Sequence, residues 1–157
     1  MLFCCCSQCK VLEIRYEWIN SSSRDLDTGT TFLGNKVGWA CGSGSQYMIW
    51  SGDSVGSSSV ETVKIEIKRA LEDKAWSKST TIQLAAGWYI PARGSGPAKI
   101  WASCKKGIYD TIPVGKYQTI DISPGQQRNC ASTPVGSIVV SERNGSITFK
   151  LNSNPLP

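Results

Sequence analysis

The stretch Leu12-Glu13-Ile14-Arg15-Tyr16-Glu17-Trp18 alternates apolar and charged residues without a break. Side chains repeat with period two along a strand, so this run puts two aliphatic and two aromatic residues on one pleat face and three charges on the other. It reads as a half-buried strand, and the segments around it read the same way. Residues 37–41, bounded by Gly34 and by Gly42-Ser43-Gly44, form a shorter strand, and residues 46–50 return with Tyr47, Met48 and Trp50. Together they resemble a hairpin across a glycine turn.

Val63, Ile65 and Ile67 alternate with Lys64, Glu66 and Lys68, whereas Val60, Val63, Ile67 and Leu71 also fit a helical stripe. A strand is expected here, with a helical turn at residues 70–74. Residues 81–89 carry Ile82, Leu84, Ala86 and Trp88 on one face, residues 93–97 are a turn, and residues 98–104 and 117–122 are further strands. Residues 137–142 and 146–151 flank Asn144-Gly145, a dipeptide suited to the positive φ angles of a type I′ hairpin turn. Eight or nine short strands separated by Gly, Ser, Pro and Asn loops predict an all-β fold, an antiparallel sandwich or jelly roll. It would occupy residues 11–152, between a Cys-rich arm at 1–10 and a tail at 153–157.

At 157 residues the length fits one domain. No apolar run approaches the roughly 20 residues of a membrane span, so no membrane partner is expected. Lys and Arg number 17 and Asp and Glu 12, a net charge of +5. Lys64, Lys68, Lys99, Lys105 and Lys106 are scattered over several segments, which is not the pattern of a nucleic-acid surface. The chain has no His, which removes Ser/His/Asp triads, Cys/His dyads and His-ligated zinc together. Gly42-Ser43-Gly44-Ser45 lacks the Lys-Ser/Thr ending of a phosphate loop, and no spacing of carboxylates supports a glycosidase over chance. A non-enzymatic protein is expected.

Seven cysteines are present. An odd total without a recognisable export signal argues against a secreted disulfide framework, so Cys41, Cys104 and Cys130 are read as small buried apolar residues. Cys4, Cys5, Cys6 and Cys9 form C-C-C-x-x-C, whose C-x-x-C spacing lets two thiolates face one zinc ion or iron–sulfur cluster. The further ligands would come from Cys4 or Cys5 or from another subunit. Thioacylation and plain or disulfide-linked thiols are the alternatives.

The acidic residues offer a second metal constellation. Asp25-Leu26-Asp27 places two carboxylates on one strand face, and Asp53 and Glu61 bracket a glycine and serine loop that could bring them to the same end of the sandwich. Ordinary turn capping by Asp25 and Asp53, with Glu61 a solvated strand residue, is the alternative. The D-L-D run, the later Gly52-Asp53 turn, the following Glu61 and Gly87-Trp88-Tyr89 resemble calcium-binding β-sandwich modules of the bacterial prepeptidase C-terminal type, over residues 12–104. Those modules usually continue the D-L-D run with apolar residues, where this chain has Thr28-Gly29-Thr30. The resemblance implies calcium at Asp25, Asp27, Asp53 and Glu61.

Six tryptophans exceed what one small sandwich core comfortably holds. Tyr47, Trp50 and Trp88 are therefore candidate surface rings for stacking on glycan or anchoring a protein partner. Residues 1–10 are too short to make a core of their own, and the Asn-Pro-Leu-Pro ending suits a tail held by neighbours. Two functions are expected on these grounds. The first is a structural subunit of a large assembly built in the host cytoplasm, most readily a bacteriophage virion component such as a tail, baseplate or capsid-decoration protein. It would be oligomeric, with other subunits as partners of the Cys-rich arm; an ordinary cytoplasmic location is the alternative. The second is a calcium-dependent carbohydrate-binding β-sandwich module.

Overall fold

The computed structural model describes residues 4–6, 9–18, 25–54, 60–89, 96–105, 111–122 and 130–153. In chain order its elements are β1 (Cys4–Cys6), β2 (Val11–Trp18), β3 (Leu26–Phe32), β4 (Asn35–Gly38), β5 (Met48–Trp50), β6 (Val60–Ile65), α1 (Ile67–Glu72), β7 (Ser79–Trp88), β8 (Gly96–Lys105), β9 (Thr111–Ile122), β10 (Pro134–Arg143) and β11 (Ser146–Ser153). The strands make two antiparallel sheets. One has the order β1-β11-β10-β7-β3-β4 and the other β5-β6-β2-β8-β9. The fold is the all-β sandwich that the alternating runs predict. Residues 93–95, Lys106 and the tail at 154–157 lie outside the described residues, as do the side chains of Cys4–Cys6 and of β9.

The decisive alternation holds in β2. Leu12, Ile14, Tyr16 and Trp18 are buried against the opposite sheet, and Glu13, Arg15 and Glu17 take the other face. Facing them across the core stand Ile82, Leu84, Ala86 and Trp88 of β7 and Ile138 and Val140 of β10, all buried. The Tyr16 hydroxyl reaches the Thr30 hydroxyl at 2.8 Å, so the two sheets also share a buried polar link. Asn144 and Gly145 both have positive φ, 52° and 78°, and close the β10–β11 hairpin as their sequence predicts.

Several local expectations are corrected. Residues 37–41 and 46–50 do not form a hairpin: β4 pairs with β3, and β5 pairs with β6 in the other sheet. The glycine-rich segment between them carries the chain from one sheet to the other. The run from Val60 to Leu71 uses both of its periodicities in turn. Residues 60–65 form β6, and from Ile67 the chain turns into α1, burying Ile67 and Ala70. The helix thus begins before the expected turn at 70–74.

The cysteines also depart from their reading. Cys9 is bonded to Cys104, with Cα atoms 5.5 Å apart, and Cys41 to Cys130, with Cα atoms 4.8 Å apart. Cys9 is therefore not a thiolate ligand, and the three isolated cysteines are disulfide partners rather than free apolar fillers. Cys4–Cys6 pair in register with Phe149, Thr148 and Ile147 of β11, so this part of the leading segment finds its strand partner within the chain.

The second disulfide has a visible mechanical role. It fastens the segment before β10 to the β4–β5 connection, where fully buried Ala131 lies over the outer face of β3. A Cβ on Gly29 would stand 2.7 Å from the Ala131 carbonyl oxygen, so the close approach requires glycine there. Thr133 accepts the Ala86 backbone N–H at 3.1 Å and completes the strap. Both faces of β3 are buried as a result.

Candidate metal centre

The D-L-D run enters β3, which lies one strand in from the β4 edge of its sheet. Asp25 precedes the strand and accepts the Tyr89 backbone N–H on its carbonyl at 2.8 Å, which pins it to the end of β7. Asp27 lies opposite Gly87 of β7. β4 pairs only with residues 29–32 of β3, so its ladder stops short of Asp25–Thr28. Asp53 comes from the other sheet, on the chain that leaves β5. Carboxylate oxygens of Asp25, Asp27 and Asp53 all lie within 4.8 Å of one another.

Such crowding is unfavourable without a counter-charge. None of the ion pairs among the described residues involves Asp25, Asp27, Asp53 or Glu61. Asp27 is 1% exposed, and its Oδ2 and the Asp25 Oδ1 are buried oxygens with no hydrogen-bond partner. Orphaned buried carboxylate oxygens cost several times what an ordinary hydrogen bond returns. The energetic cost appears in the titration of the group. Burial, together with the charge of Asp53, pushes Asp25 up to about 6. Burial, then the charges of Asp25, Asp53 and Glu61, pushes Asp27 up to about 7.

Glu61, read from sequence as a fourth ligand or a solvated strand residue, is neither exposed nor part of the converging three. It is fully buried on β6. Its Oε2 accepts the Thr28 hydroxyl and, at 3.3 Å, the Trp50 indole N–H; its Oε1 accepts the Ser54 backbone N–H at 3.3 Å. Burial raises its pKa to about 7 while these three donors pull it down. Thr28 and Ser54 adjoin the candidate site and carry no sequence signal of their own, because a hydroxyl and a backbone N–H have no signature. Their positions next to Asp27 and Asp53 were the available clue.

Trp88 is 1% exposed and belongs to the core, so it is not a surface ring. Trp50 is half-buried with its indole N–H on Glu61, and half-buried Tyr47 donates to Asp73 at 3.0 Å beneath the Arg69 guanidinium. These two rings are engaged by the fold rather than laid out as a flat stacking platform.

Hard cations with flexible coordination take this kind of donor set. Ca²⁺ accepts six to eight oxygens from carboxylates, carbonyls and water in irregular geometry, whereas Mg²⁺ demands a near-ideal octahedron and is reluctant to dehydrate. Three carboxylates from two sheets, two of them partly or wholly buried, fit the first description better. A scan against protein-family profiles and searches of curated proteins and of solved structures find no match to this chain.

Proposed function

We propose that this protein is a divalent-cation-binding β-sandwich module, in which Asp25, Asp27 and Asp53 hold a Ca²⁺ ion that ties the chain leaving β5 to the start of β3. One observation carries the reading: a buried Asp27 oxygen without a hydrogen-bond partner, beside two other carboxylates and with no ion pair to a basic side chain among the described residues. A cation supplies the missing charge and the missing electrostatic partner together. Binding then staples the two sheets at one end, which is a structural role and not a catalytic one. The Cys9–Cys104 and Cys41–Cys130 bonds support residence in an oxidising compartment, where such disulfides persist and where Ca²⁺ is abundant.

Calorimetric titration of the full chain with Ca²⁺, paired with a thermal melt, tests the reading. The wild type should bind one ion and melt at a higher temperature, and an Asp25→Ala, Asp53→Ala double variant should do neither. Absence of both heat and thermal shift in the wild type sinks the reading.

A further inference from the structure

We infer that Glu61 is a positioning residue for the cation site and not one of its ligands. The inference rests on the calcium reading above and deepens it. Glu61 stands on β6 and contacts the residue that follows each of two ligands in the chain: Thr28 follows Asp27, and Ser54 follows Asp53. One carboxylate therefore sets the spacing of two ligands that arrive from different sheets. Its remaining partner, the Trp50 indole, lies on the strand that leads into the Asp53 segment.

The chemistry of the side chain explains why it should be a carboxylate. Three donors approach from two sides, and an ionised Glu accepts on both oxygens. A Gln has one accepting oxygen and an NH₂ group that can only donate, so it cannot receive Ser54 on one side and Thr28 with Trp50 on the other. Outer-sphere groups of this kind typically tune metal affinity by about 10–100-fold without touching the ion. Glu61 spends its oxygens on these protein donors, and the carboxylates that converge within 4.8 Å are Asp25, Asp27 and Asp53.

The test separates a positioning role from a ligand role by counting water on the ion. Tb³⁺ serves as the probe for the Ca²⁺ site, and its luminescence lifetimes in H₂O and D₂O report the number of bound waters. Glu61→Gln should weaken Ca²⁺ binding by about 10–100-fold, keep one ion per chain and leave the Tb³⁺ water count at the wild-type value. Asp53→Ala, at a ligand, should raise that count. A rise in Glu61→Gln equal to that in Asp53→Ala would make Glu61 a ligand and overturn the inference, as would an unchanged affinity. If Glu61→Gln does not fold, Thr28→Val and Trp50→Phe replace it. Each should lower affinity at constant water count, and unchanged affinity in both overturns the inference. A wild type that binds neither Ca²⁺ nor Tb³⁺ removes the cation reading itself, an outcome distinct from all of these.

Discussion

Glu13 and Asp27 are both buried carboxylates on inner strands, one in each sheet, and they are provided for in opposite ways. Glu13, 7% exposed on β2, has the Lys105 ammonium at 2.9 Å and the Arg15 guanidinium at 3.8 Å. Asp27 on β3 has two more carboxylates and an orphaned oxygen. The same functional group is thus paired with cations in one sheet and, among the described residues, left without an ion pair in the other. A protein with a net charge of +5 has cations to spare, so the shortage at Asp27 is a local property of where the strands place them. It marks the place where an external cation has something to contribute.

The contrast breaks most sharply by substitution at each centre. Asp27→Asn should weaken Ca²⁺ binding by at least about 100-fold in calorimetry, because it removes a ligand charge from a buried site, whereas Glu13→Gln should leave the affinity within about threefold. Equal losses in both would mean that binding follows overall charge and not the cluster. Next in size is the effect of the ion on stability. Ca²⁺ at a hundred times its dissociation constant should stabilise the fold by about 2.7 kcal/mol, raising the melting temperature by about 5–10 °C, and a chelator should reverse it.

Without the ion, the two carboxylates should respond oppositely to neutralisation. The folded-state pKa values of Asp25, Asp27 and Glu61, about 6, 7 and 7, lie above their ordinary values. Between about pH 4 and pH 7 the folded chain therefore binds more protons than the unfolded one. The metal-free protein should lose stability as pH rises through that window, and Ca²⁺ should restore more of it at pH 8 than at pH 5. Asp27→Asn should stabilise the metal-free protein at pH 8 by about 1–2 kcal/mol in denaturant titration. Glu13→Gln should destabilise it by a similar amount, about 1–2 kcal/mol, by stripping Lys105 of its partner. The smallest effect, about 1 kcal/mol or less, is expected from Arg15→Gln, whose partly exposed guanidinium makes a 3.8 Å contact with Glu13 and lies 5.6 Å from the Trp101 ring centroid.

The difference between the two carboxylates was only partly legible in the sequence. Glu13 stands in an alternating run with charged neighbours, and a paired, solvent-side carboxylate is the ordinary reading of such a run. Asp25 and Asp27 announced themselves by their i, i+2 spacing, and Asp53 by its turn. Glu61 reads as a ligand because it is acidic and nearby in the chain, yet it is fully buried and its oxygens accept three protein donors. Six tryptophans point to surface rings such as Trp88, but both faces of its end of β7 are covered. The cysteines misled most. Spacing drew attention to C-x-x-C, while Cys9 and Cys104 bond across 95 residues and Cys41 and Cys130 across 89, separations that no local pattern records.

Period-two alternation and turn dipeptides settle the strand-rich class and the Asn144-Gly145 hairpin, because each is a property of a few adjacent residues. Which sheet each strand joins, which cysteines meet and which acids converge are decided by tertiary structure. β4 and β5 are neighbours in the chain and part into different sheets, and that parting is what carries Asp53 to Asp27. The free energy of bringing such groups together belongs to the burial of the whole core, so no short stretch of sequence contains it.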